Sequence, residues 1–432
     1  MKKLKIGNFH VKDIRFGDKT SFNGGVLTVN KEEAVAWLMK DDRIKNVELH
    51  IAKPGESVRI VPAKAAVEPR FRPDGRCIFP GYTGPVSSCG DGVVYALKDM
   101  CVIASGKYGC QGDGLLDMSG PGARNSYFSQ LLNLVVYAER VNEKELELAY
   151  REEDELRMAA YSLAEYVAKS LEGQIPEEWE EYELEPGAEE AEKKGLPRVA
   201  FYMISVTQYA NGINDKILGQ DGHNMMPILL HPNELLDGVM LIGRGLCGQS
   251  PATYDCQNMP VVKRLFAEHG KTVNFVGVVV APCEVSDSMK QAIKIRCGEL
   301  AEYMRLDGAI VAEWGGGSNA DVDLFYELAE LEDRGVKSVG LMAEHGGKMM
   351  QDPKGDALVS AGDSISVIEL PPMEKVIGDL ESLKRDSYHG AWKTHSVYGP
   401  SLRPDGSLIV SMYLPVCGAN ITGWLPKTVR DF

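Results

Sequence analysis

The sequence predicts an α/β protein, with a β-rich N-terminal domain followed by a doubly wound, mostly parallel α/β domain and a β-rich C-terminal tail. Three observations carry this reading. Short alternating runs broken by turns fill the N-terminal region; apolar strands alternate with amphipathic helices from Pro197 onward; and strand-like material returns in the last residues, as in Ser407-Leu408-Ile409-Val410-Ser411-Met412-Tyr413. The expected segments are 1–140 (β-rich), 141–196 (helix and acidic linker), 197–380 (α/β) and 381–432 (β-rich).

In the first segment the strand candidates are Val26–Val29, Val47–Ile51 and Ser57–Val61, separated by Pro-Gly and Asn-Gly-Gly turn signals. A Gly- and Cys-rich stretch from Gly75 to Gly122 holds too many breakers for a helix and reads as a long functional loop. From Glu143 to Leu171, apolar residues such as Leu156, Tyr161, Leu163 and Val167 recur mostly at helical spacings among Glu, Lys and Arg. Nine glutamates between Pro176 and Glu192 read as an exposed connector or a solvated helix. The α/β segment offers strands at Val199–Val206, Gly238–Gly243, Asn274–Val280, Gly308–Glu313, Ser338–Ala343 and Ser364–Glu369. Helices at Val261–His269, Ser286–Arg305 and Asp321–Asp333 lie between them, the alternation that builds a parallel sheet.

With 432 residues and 47.4 kDa, the chain is long enough for two or three domains. A net charge of −15 argues against nucleic acid or an anionic membrane as partner, since both need concentrated positive surface. No apolar run reaches the ~18 residues of a membrane span, and the basic start Met1-Lys2-Lys3 develops no signal-peptide core. A cytoplasmic protein is expected. Nine cysteines without a CxxC pair predict neither a disulfide framework nor a metal or Fe–S site, and no nucleotide motif is present.

Ligands of open parallel sheets bind beyond the carboxyl ends of the strands. The loop Gly315-Gly316-Gly317-Ser318-Asn319 follows a strand and precedes a helix. Its glycines allow close backbone approach, and the helix start offers free N–H groups to a carboxylate. A plain tight turn reads the same way. The loop after Gly238–Gly243 runs Arg244-Gly245-Leu246-Cys247-Gly248-Gln249-Ser250, with Cys247 where a nucleophile is often displayed. Gln208, just past Val199–Val206, lies at a switch-point-like position. The histidines, including His223, His231, His269 and His345, form no metal motif, and surface or helix-end roles suit each of them.

Stretches across the whole chain carry a resemblance. Val11-Lys12-Asp13-Ile14-Arg15-Phe16-Gly17, Pro54-Gly55-Glu56-Ser57-Val58-Arg59-Ile60 and Asp117-Met118-Ser119-Gly120-Pro121-Gly122-Ala123 lie in the first half. His269-Gly270-Lys271, Leu306-Asp307-Gly308-Ala309-Ile310 and Met373-Glu374-Lys375-Val376-Ile377-Gly378-Asp379 lie in the second. Together they resemble the component B proprotein subunits of the glycine, sarcosine and betaine reductases. The resemblance implies an oxidoreductase subunit that pairs with a selenocysteine- or cysteine-containing component B subunit. The complex would cleave the C–N bond of a small amino acid or N-methylated amine reductively and hand the carboxymethyl fragment to a small selenoprotein carrier. It further implies self-cleavage at a cysteine that leaves a pyruvoyl group, an electrophilic ketone needing no bound coenzyme.

The family's processing site is typically Asn-Cys directly after the strand that corresponds to Val239–Gly243. Here that pair is missing, and Cys247, preceded by Leu246, falls a couple of residues late. An acyl shift uses the preceding carbonyl rather than its side chain, so Cys247 remains the expected precursor, with Cys256 and then Ser250 as fallbacks. Two alternatives stay open. One is an unprocessed paralogue that binds a ligand or supports its partner; the other is an enzyme using Cys247 as an intact thiol on a different substrate. Under the resemblance, Gln208 and Gly315–Asn319 would contribute to substrate binding.

Overall fold

The computed structural model describes residues 2–107, 113–142, 154–184, 194–208, 214–243, 245–314, 318–344, 357–380, 401–419, 421 and 428–430. The fold is mixed α/β, with several mixed sheets. The strands of the first half are β1 (Lys3–His10), β2 (Ile44–Ala52), β3 (Val58–Val67), β4 (Gly92–Lys98), β5 (Met100–Gly106), β6 (Gly114–Asp117) and β7 (Leu132–Arg140). One sheet runs β6-β3-β5-β7-β2, and β1 and β4 pair in parallel in another. The stretch from Gly75 to Gly122 is therefore not one long loop, because β4, β5 and β6 lie within it. The continuous apolar run Met100-Cys101-Val102-Ile103-Ala104 forms a strand buried on both faces, and Gly92, Gly106 and Gly114 stand at strand ends.

Helix α1 (Asp154–Ala168) packs on this sheet through Leu156, Ala160, Leu163 and Val167, and the start of the expected helix, 143–153, lies outside the described residues. The acidic connector is corrected in part. Glu178–Glu183 forms strand β8, antiparallel to β1, with Lys3 bonded to Glu183 at 2.9 Å and Lys5 to Glu181 at 2.7 Å. Opposite charges facing each other across two strands turn a solvated-looking run into sheet. Residues 185–193 lie outside the described residues.

The second half is built on β9 (Arg198–Val206), β10 (Ile228–Leu230), α2 (Pro260–Glu268), β11 (Asn274–Cys283), α3 (Asp287–Met304), β12 (Gly308–Glu313), α4 (Ser318–Asp333), β13 (Lys337–Glu344) and β14 (Ala357–Asp363). Its sheet runs β10-β11-β9-β12-β13-β14 and ends on Thr428–Arg430. The five strands from β11 to β14 are parallel, and both edges are antiparallel. Helix α3 starts at Ser286, whose hydroxyl accepts from Met289 N at 3.3 Å, and ends on Arg305 in the left-handed conformation.

Side chains alternate along β9. Ala200, Tyr202 and Ile204 face the core beneath α3 and α4, while Phe201 and Met203 join a second core with Leu4, Ile6, Phe79, Leu163, Val262 and Phe275. One face of the sheet is thus covered by two helices. The other is covered by α2 together with residues of the N-terminal half, so the two halves share a single apolar core.

Two expected strands of the parallel sheet lie elsewhere. Met240–Leu241 pairs with Lys216–Ile217 in a small sheet, because β10 already occupies the edge of β11. Val367–Leu370 pairs with Leu408–Ser411, because β14 takes the place beside β13. Lys375–Gly378 pairs in parallel with β3 of the N-terminal sheet. The ion pair of Arg59 and Asp117, with bonds of 2.6 and 2.8 Å and both side chains buried, also holds Pro371 O at 2.9 Å. This arginine therefore ties the last part of the chain to the first.

Candidate functional site

Numbered by chain order, the parallel strands run 2-1-3-4-5, so successive connections leave β9 in opposite directions, and the ends of β9 and β12 form the switch point where a ligand crevice is expected. Gln208 and Asn319 meet there. Gln208 lies two residues past β9, and Asn319 lies on the first turn of α4, which follows β12. Asn319 Nδ2 donates to Gln208 Oε1 at 3.0 Å, and the Cys283 thiol approaches the same oxygen at 3.5 Å. Gln208 Nε2 and Asn319 Oδ1 have no hydrogen-bond partner among the described residues. Both side chains are half-buried, so one amide presents a donor and the other an acceptor. Gly315, Gly316 and Gly317 lie outside the described residues, as does the side chain of Ser318.

Further residues complete the cluster, among them His223, for which the sequence suggested only a surface or helix-end role. Thr207 Oγ1 donates to Cys283 O at 3.1 Å, joining the ends of β9 and β11, and the ring of His223 lies 3.1 Å from Thr207 O. Lys290 on α3 bonds both Asn319 O (2.9 Å) and the Asp323 carboxylate (2.7 Å), and Asp323 also accepts from Glu284 N at 3.2 Å. Burial pushes the Cys283 thiol well up, and the Asp323 carboxylate beside it adds to the effect, so a neutral thiol is held there. Burial also raises Asp323, opposed by Lys290. Glu284 is raised by burial and pulled back in part by His223 and the backbone of Asn224 and Val285. The missed signal was the Pro282-Cys283-Glu284 strand end, polar residues directly after a buried run.

Cys247 lies apart from this crevice but is tied to it. Asp215 accepts from Ser205 Oγ (2.8 Å) and Val206 N (3.1 Å) at the end of β9, and from Gly243 N (3.2 Å) at the entry to the cysteine loop. The loop itself is buried. Leu246 N donates to Ala63 O at 3.3 Å, Gly248 N to Tyr413 O at 2.6 Å, and Ala419 N to Gly248 O at 2.9 Å. Cys247 Sγ lies 3.1 Å from Ser250 Oγ, and both residues are fully buried. Gly114 presses on the Leu246–Cys247 peptide so closely that an added Cβ would sit 2.4 Å from Leu246 O.

Cys256 occupies the short helix Thr253–Asn258 inside the shared core, where burial drives its thiol well up. Two histidines have local structural roles. His231 caps the helix Pro232–Asp237, and His269 accepts from Phe275 N at 3.1 Å. His345 lies outside the described residues. The eight described cysteines carry no disulfide, and no cluster of metal-ligating side chains occurs among the described residues. No described helix is long and apolar enough to cross a membrane.

Comparison of the sequence with known proteins places the chain in a family. No solved structure matches the chain significantly. The betaine reductase complex component B subunit alpha of Peptoclostridium acidaminophilum is 42% identical over 442 residues, covering 100% of both chains. From the same organism, the glycine reductase complex component B subunits alpha and beta are 36% identical over 434 residues, with 98% of each chain covered. Its sarcosine reductase complex component B subunit alpha is 33% identical, with 100% of each chain covered. The glycine/sarcosine/betaine reductase component B subunits match over residues 1–430, and the chain belongs to that family.

Proposed function

We propose that this chain is the substrate-binding subunit of an anaerobic reductase complex that cleaves the C–N bond of glycine or an N-methylated glycine, with the betaine type favoured by the 42% identity. The observation that carries the reading is the convergence of Gln208 and Asn319 at the switch point, with an amide N–H group left to bind a carboxylate. A carboxylate is common to all three substrates named by the relatives. The chain's residues bind and orient the substrate. A selenolate or thiolate of a partner subunit then attacks the carbon beside the carboxylate, the C–N bond breaks, and the amine leaves with the bonding electrons.

The Cys247 loop fits a self-derived pyruvoyl group. Leu246 is anchored to Ala63 and Gly248 to Tyr413 and Ala419, so both new chain ends would stay in place after a cut between Leu246 and Cys247. Such a group supplies an electrophilic ketone for a primary amine. A quaternary amine has no N–H to react with it, and Cys247 is preceded by Leu246 rather than by asparagine. The second reading, an unprocessed subunit that binds its substrate through the crevice alone, rests on these two points. Intact mass under denaturing, reducing conditions separates them. Two fragments with a hydrazine-reactive blocked end support processing, and a single species of 47.4 kDa supports the second reading. Turnover tests the wider proposal. The chain, reconstituted with its partner subunit and the carrier selenoprotein, should release amine from one of the three substrates, and release from none of them would sink it.

A further inference from the structure

We propose that Glu284 receives the positive end of a zwitterionic substrate whose carboxylate is held by the Gln208–Asn319 amides. The inference rests on the crevice being the substrate site and goes on to name how it selects its ligand.

Glu284 follows the last residue of β11, and the register pairs Cys283 with Val206, so Glu284 and Gln208 leave adjacent strand ends. Glu284 is 5% exposed, yet its Oε1 has no hydrogen-bond partner. Neighbouring charges do not neutralise it, since Lys290 is engaged by Asp323 and Asn319 O. Among the described residues the half-buried His223 and the backbone N–H groups of Asn224 and Val285 offset it in part, while Asp323 opposes them. A buried carboxylate with an unused oxygen is costly, and a cationic ligand recovers that cost where a neutral one does not.

The same network ties the Glu284 backbone to the helix that carries Asn319. Asp323 accepts from Glu284 N and lies one helical turn after Asn319 on α4, while Lys290 bridges Asn319 O and Asp323. The amide pair and the acid are thus held by one rigid set of contacts. Glycine, sarcosine and betaine, which carry a carboxylate and an ammonium group on one carbon, are the class of ligand that an amide pair and an acid would take together. Charge is the property both ends read, so an isostere of the same shape that keeps the carboxylate but lacks the positive charge should bind less well.

The test compares each zwitterion with its carbon isostere by calorimetry on the full chain: betaine with tert-butylacetate, sarcosine with butyrate, and glycine with propionate. The wild type should prefer the zwitterion about tenfold or more in at least one pair. Glu284→Gln should remove that preference while keeping the affinity for the isostere, which also reports that the variant is folded. Glu284→Asp, which retains the charge, should restore part of the preference. A Glu284→Gln protein that keeps the wild-type preference, or a wild type that binds both members of each pair equally, overturns the inference while leaving the crevice as the site. Binding of none of the six ligands overturns the reading beneath it as well.

Discussion

The side-chain amides of Gln208 and Asn319, 111 positions apart in the chain, meet at 3.0 Å across the switch point of the parallel sheet. Cys283 approaches the same Gln208 oxygen at 3.5 Å, which orients the amide so that its NH2 group is the free end. Replacing either amide by alanine should raise KM roughly 2–10-fold with kcat little changed, the range for one lost hydrogen bond. Because the two act as a pair, the double variant should cost less than the sum of the single ones. Steady-state kinetics of the reconstituted complex measures both effects.

Processing, if it occurs, depends on Cys247. Cys247→Ala should remain a single chain on denaturing gels, while Cys256→Ala should be cut like the wild type. Cleavage of the Cys247→Ala protein would move the site elsewhere.

Gly114 gives a steric test of the same loop. An added methyl group would sit 2.4 Å from Leu246 O, 2.5 Å from Leu414 O and 2.9 Å from Cys247 Cα, all of them backbone atoms. Gly114→Ala should therefore destabilise the protein by about 1–3 kcal/mol and disturb the Leu246–Cys247 peptide. At Gly308 the nearest atom is 3.5 Å away, so Gly308→Ala should melt within a few degrees of the wild type. Thermal unfolding followed by circular dichroism compares the two.

Arg59 and Asp117 form a fully buried two-bond ion pair. Asp117→Asn leaves the guanidinium uncompensated and should lower stability by about 3–5 kcal/mol in urea unfolding. Removing both charges with apolar residues of similar volume should cost much less, because no unpaired charge stays behind.

His10 links the edge strand β8 to its neighbours, with Nδ1 2.6 Å from Asp99 and Nε2 3.3 Å from Glu178. The Asp99 hydrogen bond raises its pKa above the ordinary 6.5. Its contribution is therefore complete below that pH and fades as pH rises through the folded value. The side chains are partly exposed, so the effect should be about 0.5 kcal/mol or less. His10→Ala should flatten the fall in stability between about pH 6 and pH 8, measured by urea unfolding at each pH.

Periodicity was enough to locate β9, β11, β12 and β13, and for α3 even the caps, because Ser286 and Arg305 act through local backbone geometry. It also marked Cys247, Gln208 and Asn319 as residues at strand ends. Strand pairing was not legible, because a short apolar run such as Met240–Leu241 or Val367–Leu370 states that it extends but not beside what. Edge occupancy decides that, and it is settled by segments far away in the chain. Glu178–Glu183 misled for a related reason: its charges look solvated until Lys3 and Lys5 stand opposite.

By itself the sequence determined the α/β class, the family resemblance, and which residue types stand at the strand ends, since these depend on local pattern and order along the chain. Only the tertiary structure decided that the two halves share one core, that Asp215 joins the cysteine loop to the end of β9, and that Glu284 lies buried at the strand end next to that of Gln208. These are contacts between residues distant in sequence. Their energies come from burial and charge pairing, which exist only once the chain has packed.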